Sequence, residues 1–332
     1  MITVLAGGVG AARFLRGLVD VIDPADVTVI SNTADDEEFF GLHVSPDIDT
    51  VIYTLAGVVN EEQGWGLAGD TYQMLERAKQ LGADAWFLLG DKDIATHLLR
   101  TQVLRGGGSL SEATATLAST HGLSCRVLPM SDERVRTIVT TDDGELSFQE
   151  YFVRRRQQDD VRALRFKGAD STRPAPGVVE ALRDADAVIV APSNPLVSIG
   201  PILAVPGIRD ALVETKAPVV AVSPIVGGHA LKGPADKMLV SLGHESSAAG
   251  VARLYADFAD VLVIDEQDAA LADAVESTGV RAAVTDTIMR DAASRRALAQ
   301  ATLDALLVAG RWYAGDTGGA ERAVRTDSCK GP

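Results

Sequence analysis

The sequence predicts an α/β protein: a Rossmann-like, doubly wound, mainly parallel sheet carrying a smaller α+β insertion. Three observations predict it. Short β-branched runs recur along the chain, each stopped by turn residues and followed by a helical pattern. The first run ends in a glycine turn that opens an amphipathic helix. A middle stretch breaks the pattern by alternating apolar and polar residues, as an antiparallel hairpin does.

Taken in order, ITVLA at the N-terminus reads as the first strand, GGVGAAR as the turn, and the stretch through Val19 and Val21 as the helix. DVTVIS (26–31) reads as the second strand. AWFLL (85–89) reads as another buried strand, ending at Gly90-Asp91-Lys92-Asp93. AVIVA (187–191) ends at Pro192-Ser193-Asn194-Pro195, VVAVS (219–223) runs into Pro224 and then Gly227-Gly228, and VLVI (261–264) stops at Asp265. Residues 134–151 read as a hairpin turning at Asp142-Asp143-Gly144. The chain therefore divides into a first core part (1–130), a mixed insertion (131–175), a second core part (176–312) and a polar, glycine-containing tail (313–332). No internal repeat stands out.

The 332 residues are 46% hydrophobic, enough to fill a sizeable core, and carry a formal net charge of −15. Such a surface repels nucleic acid and anionic lipid. A phosphate-bearing substrate would need local positive potential from backbone amides, a helix N-terminus, Lys or Arg, or a metal ion. Cys125 and Cys329 stand far apart, which excludes a disulfide framework or zinc cluster and suits a reducing cytosol. No apolar run reaches the ~18 residues of a membrane span, and glycines interrupt the N-terminal apolar stretch as they would not in a signal peptide. The expected location is cytoplasmic, and base rates favour a homodimer.

Gly7, Gly8 and Gly10 sit where the first strand meets the first helix. Glycine there lets a phosphate approach the backbone, and Arg13 can add a charged contact. The spacing matches neither the dinucleotide fingerprint nor a P-loop, and tight helix–sheet packing is the alternative. After the second strand come Asp35 and Asp36, then Asp47 and Asp49 in PDID. Four acids this close repel one another unless a cation joins them. On an extended segment Asp47 and Asp49 share one side, while helix capping is the competing use. Lys92 serves either as a substrate-binding cation or as a surface residue at a helix start. Ser193, Asn194, Gly227 and Gly228 lie on further strand-end loops, where α/β folds place ligands. The five histidines show no ligand or triad spacing, and Tyr53 and Trp65 are either ring-stacking or core residues.

Six segments, read together, resemble the 2-phospho-L-lactate transferases of deazaflavin coenzyme (F-420) biosynthesis. They are ITVLAGGVGAARFLRGL, HVSPDIDTVIYTLAG with GWGLAGDT, LGDKDIATHLLRTQ, FQEYFV, VIVAPSNPLVSIGPILAVPGIRDAL and VSPIVGGHALKGPADKML, and the resemblance they carry runs from Met1 to about Leu307. The resemblance implies Mg²⁺-dependent transfer of a phospho-acid (phospholactate, phosphoenolpyruvate or phosphoglycerate) from a guanosine diphosphate conjugate. The acceptor would be the ribityl hydroxyl of a deazaflavin, and GMP would leave. It implies that Asp49 and Lys92 contact the deazaflavin, that Asp49 acts on the hydroxyl, and that Asp35, Asp36 and Asp49 are the metal candidates. Gly7, Gly8, Gly10, Arg13, Ser193, Asn194, Gly227 and Gly228 would frame the nucleotide. Ala11 departs from the glycine expected there, a small change. A non-catalytic nucleotide sensor of the same fold is the competing expectation.

Overall fold

Seven short strands build the main sheet, and the computed structural model describes residues 1–315. They are β1 (Ile2–Ala6), β2 (Val27–Ser31), β3 (Arg126–Pro129), β4 (Ala187–Val190), β5 (Val219–Val222), β6 (Val261–Asp265) and β7 (Arg281–Thr285). All pair in parallel, in the order β7-β6-β5-β4-β1-β2-β3. On one flank of β1, Ile2 lies beside Val27 and Ala6 beside Ser31; on the other, Ile2 lies beside Ala187 and Leu5 beside Val190. The order reverses between β1 and β4, the point where doubly wound sheets open a ligand crevice.

Successive side chains alternate between two apolar layers. Leu5, Ile30, Val190 and Ile264 pack on one face, and Val4, Val29, Ile189 and Val263 on the other. Both faces are covered, which is why these strands read as continuous apolar runs. The helices that matter for the site are α1 (Gly8–Val19), α2 (Pro46–Leu55), α3 (Gln73–Gln80), α4 (Asp93–Arg105) and α5 (Leu110–Thr120). No single described helix is long and apolar enough to cross a membrane.

Within residues 131–175, Arg136–Thr141 pairs antiparallel with both Gly144–Ser147 and Ala163–Lys167. Val139, Tyr151 and Val161 of this insertion pack against Val197 and Met238 of the main body. The insertion therefore shares a core with the sheet it decorates.

One strand expectation needs correction. Residues 85–89 form no strand. Phe87 stacks on Phe39 at 4.1 Å, Trp86 meets Phe39 edge-on at 5.2 Å, and the Arg154 guanidinium lies 5.6 Å from the Trp86 ring. The aromatic cluster satisfies this apolar run, and β3 already occupies the sheet edge beside β2. Conversely, β3 and β7 were not apparent in the sequence: β3 starts on the exposed Arg126 and ends on a proline, and β7 is a half-exposed, alanine-rich edge. Of the polar tail expected at 313–332, everything past 315 lies outside the described residues, as does Cys329.

The C-terminal helix (Ala292–Gly315) packs on α1, and Gly17 is the contact that permits it: a Cβ there would run into the Arg295 carbonyl. Helix propensity alone would favour alanine over this glycine by about 1 kcal/mol, whereas overpacking against backbone costs about 1–3 kcal/mol. Gly17→Ala should therefore lower the urea midpoint of unfolding; a raised midpoint would mean that the two helices do not meet here.

Candidate functional site

Glycines bring the loops of the crevice together. A Cβ on Gly7 would lie 2.8 Å from Ser198 Cβ and 2.9 Å from Asp47 Oδ2, and one on Gly10 would lie 2.5 Å from the Pro192 carbonyl oxygen. Packing thus fixes Gly7 and Gly10. Gly8 differs: its φ is +75° and a Cβ there would meet nothing within 4 Å. It is the glycine of the turn that faces open space. Gly7 N–H donates to Ser193 Oγ at 3.3 Å, tying the ends of β1 and β4 across the switch point. The N-cap residue of α1, Gly7, offers no side-chain cap; the Gly8 amide is taken by the Asp47 carboxylate, and the first-turn amides beyond it keep their positive potential.

The acids divide into two groups, because PDID is the first turn of α2 rather than an extended segment. Residues two apart on a helix do not face the same way. Asp47 points toward α1, where its carboxylate accepts from the Gly8 amide and from Asn32 Nδ2 at 2.9 Å. The same Asn32 nitrogen donates to Asp35 Oδ2 at 3.0 Å. One amide therefore holds two carboxylates together. Desolvation by burial, then the neighbouring Asp47, push the Asp35 pKa well above the usual range. Desolvation outweighs the Asn32 bond at Asp47 and pushes it up to about 6.

Asp49 points the other way, toward α4. Arg100, fully buried, grips both its oxygens; Nη1 donates to Oδ2 at 3.1 Å and Nη2 to Oδ1. Burial opposes the charge on Arg100, but the facing Asp49 carboxylate prevails and raises its pKa. His97 Nδ1 lies 3.3 Å from Arg100 Nη1, and its Nε2 lies 3.3 Å from Asp93 Oδ2, too poorly aligned for a hydrogen bond. Tyr53, buried rather than open to a ligand ring, bonds through its hydroxyl to Asp93 Oδ1 and Thr96 Oγ1, each at 2.6 Å. Burial opposes the charge of Asp93, yet His97, Tyr53 and Arg100 hold its pKa below the ordinary value. Asp36 accepts from Ser45 Oγ at 2.7 Å and sits 3.0 Å from His43 Nε2. Burial nonetheless raises its pKa.

These contacts decide where a cation fits. Asp49, Asp93 and His97 are close enough to share an ion, but the Arg100 guanidinium already occupies that cluster and would repel one. The expected set of Asp35, Asp36 and Asp49 is therefore split: Asp49 is committed to Arg100. Asp35 Oδ1 and Asp36 Oδ1 are buried with no hydrogen-bond partner, and Asp35 and Asp47 share one amide and no guanidinium. Hard carboxylate oxygens short of counter-charge suit Mg²⁺, and Asp35 and Asp47, with Asp36 adjoining, are the residues that could hold it.

The other expected residues distribute as follows. Lys92 is exposed and its Nζ donates to the carbonyls of Ala68 (3.2 Å) and Gly69 (2.9 Å), beside the Asp93 network but not in contact with Asp49. Asn194 uses its side-chain oxygen to cap the turn at Leu196 and Val197. The Gly227 amide donates to Asp268 Oδ2 at 3.0 Å, and the Gly228 carbonyl accepts from Ser246. Both glycines have positive φ (+58° and +82°), so they shape a turn whose polar groups are partly spent. Arg13 has no hydrogen-bond or ion-pair partner among the described residues. Sequence reasoning missed Asn32, Asp93, His97 and Arg100. The last three were legible as D-x₃-H-x₂-R in LGDKDIATHLLR, one face of a helix; Asn32 as the partner of two acids was not.

A family model described as 2-phospho-L-lactate transferase CofD matches residues 2–303. A phosphoenolpyruvate transferase of Streptomyces griseus subsp. griseus is 48% identical over 309 residues, covering 91% of this chain and 97% of the relative. The 2-phospho-L-lactate transferases of Methanothermobacter thermautotrophicus and Methanosarcina mazei are 42% and 39% identical, over 92% and 91% of this chain and 98% and 99% of theirs. A crystal structure of a UPF0052 family member from Bacillus halodurans superposes with TM-score 0.62 at 16% identity, covering 91% of this chain and 98% of that one, a likeness of fold alone.

Two predictions follow from the charge arrangement. Arg100→Leu leaves Asp49 buried without its partner and should cost about 3–5 kcal/mol in chemical unfolding. The double variant Arg100→Leu/Asp49→Leu should regain most of that, and equal loss in both would refute the pairing. The folded-state pKa of Asp47 is raised, so folded protein holds that proton more tightly than unfolded protein. Its stabilising contribution is complete below about pH 4, the unfolded value, and is lost as pH rises toward about 6. Asp47→Asn should flatten that part of the metal-free stability profile.

Proposed function

The chain belongs to the 2-phospho-L-lactate transferase CofD family, and on that premise we propose that it transfers a phospho-acid from a guanosine diphosphate conjugate to the ribityl hydroxyl of a deazaflavin. The higher identity to phosphoenolpyruvate transferases favours phosphoenolpyruvate as the donor acid. One observation carries the reading. A helix start with an open left-handed glycine, of which only the Gly8 amide is taken up by Asp47, stands beside carboxylates short of counter-charge. A diphosphate satisfies the first and a divalent cation the second, whereas either alone leaves the other unbalanced.

In the reaction, the acceptor hydroxyl oxygen bonds to the phosphorus that carries the acid, the bond from that phosphorus to the nucleotide phosphate breaks, and GMP leaves, the hydroxyl proton passing to the departing phosphate or to solvent. Such a transition state asks for positioning and charge stabilisation more than for covalent chemistry from the protein. Mg²⁺, when bound by Asp35 and Asp47, supplies charge neutralisation at the phosphates. Asn32 holds those two carboxylates in one orientation. Gly8 leaves room for a phosphate beside the helix start. Asp49, its oxygens fixed by Arg100, acts as an anchor for the acceptor rather than as its proton acceptor. The half-buried Phe39, Trp86 and Phe87, three residues beyond Asp36 and just before Lys92, offer a flat apolar surface on the acceptor side.

Incubation with deazaflavin, Mg²⁺ and either the enolpyruvyl or the lactyl guanosine diphosphate conjugate tests this by mass spectrometry. The expected result is the enolpyruvyl phosphodiester of the deazaflavin together with GMP. Saturable guanine nucleotide binding with no product from either donor would favour the nucleotide-sensing alternative. Asp47→Asn should lower kcat by roughly 100-fold or more, and Asp49→Asn should act chiefly on the KM of the acceptor.

A further inference from the structure

The turn at Gly227 and Gly228 joins two short antiparallel segments, Ile225–Val226 and His229–Ala230. Asp268 and Ser246 hold this turn in place. The chain then continues through Lys232 to the helix Ala235–Ser241. That path carries Lys232 back over the start of α1. Its Nζ lies 3.6 Å from where a Cβ would stand on Gly64, and Val9 Cγ1, in the first turn of α1, lies 2.6 Å from the same point. Arg13 stands four residues beyond Val9 and so on the same face of the helix.

Neither Lys232 nor Arg13 has a hydrogen-bond or ion-pair partner among the described residues. The two cations feel one another: partial burial, and then the charge of Arg13, lower the Lys232 pKa. Like charges held near each other without an acid between them leave an unfilled demand for an anion. The start of α1, whose first-turn amides beyond Gly8 are free of a side-chain cap, adds potential of the same sign.

We propose that Lys232 and Arg13 form a two-cation clamp, closing over the start of α1, for an oxyanion of the donor: a nucleotide phosphate or the carboxylate of the transferred acid. This rests on the donor reading above and adds a residue, Lys232, near Val9 in the first turn of α1. The clamp then shares the balancing of the donor's charge with the cation that Asp35 and Asp47 would hold.

The test uses the full chain and Lys232→Gln. Lys232 is exposed, so the variant should fold, and an unchanged melting temperature confirms it. Calorimetry gives the affinity ratio of GDP to guanosine, and steady-state kinetics give the KM of the assembled donor relative to the affinity for GDP. A charge-assisted hydrogen bond lost from the clamp predicts a fall of about 10- to 100-fold in one of these. A fall in the first ratio assigns the clamp to a nucleotide phosphate, and a fall in the second alone assigns it to the acid's carboxylate. In either case Lys232→Arg recovers most of the loss and the acceptor KM does not move. Both ratios unchanged in Lys232→Gln, with wild type binding GDP far more tightly than guanosine, would overturn the clamp and spare the donor reading. A wild-type protein that binds neither GDP nor donor would overturn both.

Discussion

Asp35, Asp36, Asp47, Asp49 and Asp93 crowd the carboxyl edge of the sheet, and Arg100 is the guanidinium buried among them. Both its carboxylate contacts go to Asp49, and Nη1 also donates to the His43 carbonyl at 3.4 Å. The pairing decides the character of each half of the site. On the α4 side, charge is balanced, Tyr53 and Thr96 complete the hydrogen bonding of Asp93, and the cluster is structural support with one anchored carboxylate. On the α1 side, Asp35 and Asp47 share a single neutral amide, and burial drives both toward the protonated form. A buried carboxylate pair without a cation either takes up protons or waits for one. The protein places that demand where phosphate-binding amides lie within reach.

Backbone geometry makes this arrangement possible. Gly7 and Gly10 let β1, Ser198 and Pro192 approach to distances that no side chain permits, and they thereby seat Asp47 against the start of α1. The reversal of strand order between β1 and β4 opens the crevice, and the bond from Gly7 to Ser193 sets its width. Packing, topology and electrostatics thus converge on Gly8, the residue of the turn with open space before it.

Much of this was legible in the sequence, for identifiable reasons. Strands buried on both faces announce themselves as β-branched runs, so β1, β2, β4, β5 and β6 were readable, whereas the edge strands β3 and β7 carry weaker patterns. AWFLL misled because apolar content alone does not distinguish a strand from a loop locked by aromatic stacking on Phe39. The acids were legible as a cluster. Their division was not, because the first turn of α2 reaches Pro46 and turns Asp47 and Asp49 apart. Glycine loops were legible as turns, but which amides remain open depends on distant partners such as Asp268 and Ser193. Lys232 lay unremarked inside a quoted motif, since its neighbours Gly64 and Arg13 come from segments far away in sequence.

The division of the acids by Arg100 is tested most directly by locating a divalent ion. Crystals grown with GDP and Mn²⁺, measured at the manganese absorption edge, give one anomalous peak per bound ion. The account predicts a peak within bonding distance of Asp35 and Asp47, on the α1 side. A peak coordinated by Asp49, Asp93 and His97, with Arg100 displaced, would contradict it.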